Sequence, residues 1–178
     1  MRKPIKALAI AAAAVIISTA TVMASGPGSS RWSARLVGYE EVPAISTSAR
    51  GSFSATIAKD GMSFDYELTY GGLTGGVTQS HIHFGQKSVN GGISVFFCSN
   101  LGNGPVGTQA CPAGSATVTG HVTAANVIGP AGQGIAAGEW NELIGAIRAG
   151  VTYVNVHSAT YPGGEIRGQL HRSFGRGH

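Results

Sequence analysis

The stretch "MSFDYELTY" (62–70) alternates without a break, with Met62, Phe64, Tyr66, Leu68 and Tyr70 set against Ser63, Asp65, Glu67 and Thr69. Successive side chains of a strand point to opposite faces, so alternation over this length predicts a half-buried antiparallel strand. "SFSATIAK" before it repeats the pattern, with Phe53, Ala55 and Ile57 on one face and Ser52, Ser54 and Thr56 on the other. Lys59, Asp60 and Gly61 lie between the two runs and predict a hairpin turn, because Asp-Gly tolerates the positive φ angles that tight hairpins need. Further strands are predicted at "RWSARLVG" (31–38), "VTQSHIHF" (77–84), "ISVFFC" (93–98), "SATVTGHVTA" (115–124), "VTYVNVHSA" (151–159) and "EIRGQLH" (165–171). Only "AGEWNELIGAIRAG" (137–150) has a helical period, with Trp140, Leu143, Ile144 and Ile147 on one face. It predicts one short helix over about 138–149, ended by Gly150. Short strands at close spacing without βα alternation indicate an all-β, antiparallel sandwich or barrel.

The N-terminus stands apart from this pattern. Arg2, Lys3 and Lys6, then "ALAIAAAAVII", then Val22 and Ala24 at −3 and −1, read as a signal peptide over 1–24 cleaved after about Ala24, with a retained N-terminal anchor as the alternative. The chain is then exported, periplasmic or secreted, with no transmembrane segment after cleavage. Residues 25–34 are expected to form a flexible mature N-terminus, 35–171 one β domain and 172–178 a loose tail. Removing the signal changes the charge balance. Three of the twelve basic residues lie in it, which leaves nine against eight acidic residues, scattered and without a run of one sign. That argues against a nucleic-acid partner.

Cys98 and Cys111 flank the loop-like "SNLGNGPVGTQA". In an exported chain two cysteines most simply pair as a disulfide; two buried thiols are the alternative. Among the six histidines, His81 and His83 share a strand face about 7 Å apart at Cα. His157 lies on the face of Tyr153 and Asn155, opposite Val154 and Val156. If the two strands were neighbours, three neutral imidazoles could converge on copper or zinc and leave an open position. A shared ion at about 2.0–2.1 Å from each would need the ring nitrogens within about 4 Å of one another. The same three residues could instead form a hydrogen-bonded cluster that holds strands in register, or a surface for a partner. Glu165 and Arg167, two apart on a strand, are expected to form a surface pair or a binding patch.

"LVGYEEVPAISTSARGSF", "SHIHFG" and "LIGAIRAGVTYVNVHSATYPGGEIRGQL" together resemble the CHRD domain, over about residues 35–171. The resemblance implies an immunoglobulin-like β-sandwich or barrel and carries no catalytic residues across. After "HIH" the chain reads "FGQKSVNGG" in place of a glycine-proline type turn, which leaves that loop's geometry open. "HIHFG" also resembles a strand of Cu/Zn superoxide dismutases, which are antiparallel sandwiches too. No His-rich loop with an aspartate follows it, so the likeness concerns fold and not activity. No GxSxG, P-loop or HExxH is present, and the only aspartates are Asp60 and Asp65. The expectation is a non-catalytic binding or structural module whose partner is a protein or an extracellular or cell-surface component. The alternative is a metal-binding protein using His81, His83 and His157.

Overall fold

The computed structural model describes residues 30–173; the expected signal peptide, its cleavage point and the final five residues lie outside them. Nine strands are present: β1 (Ser30–Val37), β2 (Arg50–Ile57), β3 (Ser63–Gly71), β4 (Val77–Phe84), β5 (Gly92–Ser99), β6 (Ala116–Thr123), β7 (Thr152–Ser158), β8 (Ile166–Gln169) and β9 (His171–Ser173). The helix α1 (Trp140–Arg148) falls inside the predicted segment. All pairings are antiparallel, in the order β5-β4-β7-β8-β1-β2-β3-β6, with β9 also on β1.

The two edge strands, β5 and β6, face each other, so the sheet nearly closes into a barrel. Tyr66 Oη of β3 donates to Phe97 O of β5 at 3.2 Å. Gln109 spans the gap, donating from its side chain to Thr119 O and accepting from Ser99 N at its backbone carbonyl. Its loop is pinned by the Cys98–Cys111 disulfide.

The alternation in β2 and β3 places Phe53 opposite Leu68 and Ala55 opposite Tyr66, all facing the interior. There Phe53, Tyr66 and Phe97 pack with ring centroids 4.4–6.0 Å apart. Burying an aliphatic or phenyl side chain of this size stabilises by about 1.5–3 kcal/mol. Helix α1 turns Trp140, Leu143, Ile144 and Ile147 inward, and Trp140 stacks on Phe64 at 5.7 Å. Its end is the expected one. Gly150 takes φ +71°, its N–H bonds Ile147 O, and Val151 N–H bonds Ala146 O, which satisfies the last free carbonyls.

Three boundaries differ from expectation. β1 begins at Ser30, one residue before the predicted strand at 31–38, and so takes in part of the stretch 25–34 expected to be flexible, because Ser30–Val37 pairs residue by residue with β2. Met62 is 61 % exposed, since the turn extends through it and its N–H bonds Asp60 Oδ1. Residues 172 and 173, assigned to a loose tail, belong to β9 and lie along β1.

The wall made by β4, β7 and β8 positions the site. Every residue of β7 is buried. Val154 and Val156 face the barrel interior with Ile82; Tyr153, Asn155 and His157 face outward. Loops around 38–49, 85–91 and 159–165 cover that outer face, which explains why a strand with a polar side is buried on both.

Candidate functional site

Register brings the outward residues of three strands side by side. His81 pairs with Asn155, which pairs with Arg167; His83 pairs with Tyr153, which pairs with Gln169; Gln79 pairs with His157. The strand neighbourhood on which a shared site depended is therefore present. His81, His83 and His157 are all buried, and one ligand nitrogen from each falls within 4.8 Å of the others. His81 Nδ1 and His157 Nε2 are 3.2 Å apart. His81 and His157 meet the spacing of about 4 Å that a shared ion requires, whereas the three together span up to 4.8 Å.

Backbone carbonyls fix two of the tautomers. His157 Nδ1–H donates to Pro162 O at 2.8 Å, and His83 Nδ1–H donates to Gly91 O at 2.9 Å. A carbonyl only accepts, so in the neutral rings both Nε2 atoms carry bare lone pairs. Gly91 is needed for this approach, because a Cβ there would collide with the Phe84 carbonyl. His83 Nε2 and His81 Nε2 are buried and have no hydrogen-bond partner. Leaving a buried polar nitrogen unpaired costs about 1–3 kcal/mol.

The imidazoles are held neutral. Burial, then the neighbouring rings of His157 and His83, push the His81 pKa down to about 2. Burial pushes His83 down to about 4, against the pull of the Gly91 carbonyl. His157 is lowered as well, again by burial. Aromatic rings pack around them: Phe96 meets His81 edge-on at 4.3 Å, and Tyr153 stacks parallel on His83 at 4.7 Å.

Two charged groups complete the patch. Arg167 lies over the outer face of Tyr153, 3.3 Å from the ring centroid. It donates to Val89 O, Gln86 O and Asn90 Oδ1. Glu41 is buried, and burial lifts its pKa to about 7 even though Arg167, the Val42 N–H and the Asn155 amide pull it down. Its Oε1 makes no hydrogen bond of good geometry.

The expected surface pair of Glu165 and Arg167 is not formed. Both side chains are buried, and each bonds a different set of partners. Glu165 accepts from Thr47 Oγ1, Thr74 N and Thr74 Oγ1, and so ties two loops to the base of β8. Burial alone would raise its pKa, but hydrogen bonds from Ser158, Thr47 and Thr74 more than offset that and lower it. Sharing a strand face did not bring the pair together, because covering loops offered each a nearer partner.

The other described histidines stay apart. His121 is exposed and bonds Asp65 Oδ1 at 2.7 Å across the β3–β6 pair, and His171 is exposed on β9. Glu41 was not singled out from the sequence, where Glu40 and Glu41 read as adjacent carboxylates that would face opposite ways on a strand. Asn155 and Tyr153 were placed on the face of His157, and alternation alone was the signal for them.

The nearly closed antiparallel barrel and the polar cluster buried on its outer wall define an all-β domain protein with a buried histidine cluster. Residues 32–170 match the CHRD domain, and the chain belongs to that family. No curated protein and no solved structure matches it. Among the described residues, no helix is long and apolar enough to cross a membrane.

Proposed function

We propose that this CHRD protein is exported and binds a transition-metal ion, zinc or copper, through His81, His83 and His157. The observation that carries the reading is the convergence of three buried, neutral imidazoles, two of them fixed by backbone carbonyls so that bare Nε2 atoms remain. Metal-ligating histidines characteristically donate their other N–H to a carbonyl or carboxylate, which sets tautomer and ring angle. Export is supported by the Cys98–Cys111 disulfide, a bond that persists in oxidising compartments, and by the sequence of residues 1–24. The test is elemental analysis of mature protein purified without chelator, repeated on His83→Ala. About one equivalent of zinc or copper is expected in the parent and far less in the variant. Equal, trace content in both would end the reading.

A second reading has its own observation. The His83–Gly91 and His157–Pro162 hydrogen bonds each tie a covering loop to the wall. On that reading the cluster is structural, and the protein is a module for a protein or cell-surface partner. A pull-down with the mature domain, wild type against His83→Ala, separates the two: a partner retained by both, with no metal in either, supports the module.

A further inference from the structure

Asn155 sits at the centre of the patch, 2 % exposed, directly across from His81 in register. Its Oδ1 lies 3.0 Å from His157 Nε2. Pro162 O takes the one proton of the neutral His157 ring, so this nitrogen is bare. An amide oxygen and a bare imidazole nitrogen are both acceptors, and with His81 Nδ1 3.2 Å from the same nitrogen the three atoms suit a shared cation.

We infer that Asn155 Oδ1 is a fourth ligand of the ion held by His81, His83 and His157, and that the site therefore takes a divalent ion of the zinc type. This rests on the metal reading proposed above. Two tetrahedral ligands of one ion at about 2.0–2.1 Å stand about 3.3 Å apart. The separations of His157 Nε2 from Asn155 Oδ1 and from His81 Nδ1, 3.0 and 3.2 Å, are close to that spacing. Three imidazoles and one amide oxygen form a borderline-to-hard donor set, suited to Zn(II) or Cu(II) and poorly to Cu(I), which favours thiolate and thioether.

The other end of the amide explains the orientation. Asn155 Nδ2 lies beside the Glu41 carboxyl, and the two meet beneath Gly164. A Cβ at that position would fall 2.3 Å from Glu41 Oε1 and 2.9 Å from Asn155 Nδ2. Glu41 is thus a positioning residue: its carboxyl lies on the Nδ2 side of the amide, which leaves Oδ1 toward the histidines and brings negative charge near the ion.

The test loads chelator-treated wild type, Asn155→Ala, Asn155→Asp and His81→Ala with Co(II) alone, then displaces it with Zn(II). Wild type is expected to take up one Co(II) per chain with the intense visible bands of four-coordinate cobalt. Asn155→Ala should bind at least about tenfold more weakly with altered bands, and Asn155→Asp, which keeps an oxygen donor, should restore both. As a check that needs no variant, one asparagine side-chain amide should show a large paramagnetic shift in Co(II)-loaded wild type. Wild-type affinity and bands in a folded Asn155→Ala, or no shifted amide, would remove Asn155 from the site and leave the three-histidine reading standing. Failure of wild type itself to bind Co(II) or Zn(II), matching His81→Ala, would overturn both.

Discussion

His81 and His83 are bases held far below their ordinary pKa, and this makes the fold sensitive to acid. Their folded values, about 2 and about 4, lie below the unfolded value of 6.5, so the unfolded chain binds more protons below that pH. Their contribution is present above pH 6.5 and is lost as pH falls toward those values; for His83 alone it is on the order of 3 kcal/mol. Glu41 acts in the opposite sense. Its folded value, about 7, exceeds 4.5, so its contribution is full below 4.5 and is lost as pH rises to about 7. Three imidazoles outweigh one carboxyl, so the urea midpoint of chelator-treated protein should rise between pH 4.5 and 6.5. A flat or falling midpoint over that window would contradict the assignment. Arg167→Leu removes the cation that holds the Glu41 carboxyl down, so Glu41 should titrate above its wild-type value in a carbon-detected NMR titration. Gly164→Ala should destabilise by about 1–3 kcal/mol in urea, because φ is +129° and the new Cβ meets Glu41. The three histidines were legible in the sequence because period two assigns each a face. The fates of Glu165 and Arg167 were not, because alternation says which way a side chain points and nothing about which loop folds over it.

At the scale of elements, β3 and β7 show what alternation does and does not specify. β3 keeps Asp65 and Glu67 exposed, as its pattern predicts. β7 carries an equally polar face and buries it, because loops from three places in the chain converge on that wall. The wall could be read from the sequence, but its cover could not, since loops carry no periodicity. Helix α1 was legible down to its cap, since both its apolar face and Gly150 are local features. Gly150→Ala should cost about 1 kcal/mol in thermal unfolding, as only glycine occupies φ +71° without strain. The break between β8 and β9 is less local. Leu170 turns its N–H to Thr152 O and buries its side chain, which interrupts the ladder on β1. The disulfide acts on the seam between β5 and β6. Its cysteines are 13 residues apart, so reduction should lower stability by about 3 kcal/mol in the chain-entropy account, measured as a shift in urea midpoint.

Across the whole molecule, barrel closure and site burial are linked. β4 and β7 lie one and two places in from the β5 edge, and the gap beside that edge is bridged by the Gln109 loop and by Tyr66. This keeps the histidine wall in register while its loops hold His83 and His157 from outside. The CHRD family fixes the fold over residues 32–170, and the chemistry comes from what this chain places on one wall of it. His81, His83 and His157 are proposed to hold a metal ion. The most direct measurement is anomalous diffraction at the zinc and copper absorption edges from crystals grown without chelator. One strong peak per chain is expected, bonded to a ring nitrogen of each of the three histidines. Full-occupancy crystals with no peak there, or with peaks only at exposed His121 or His171, would contradict it.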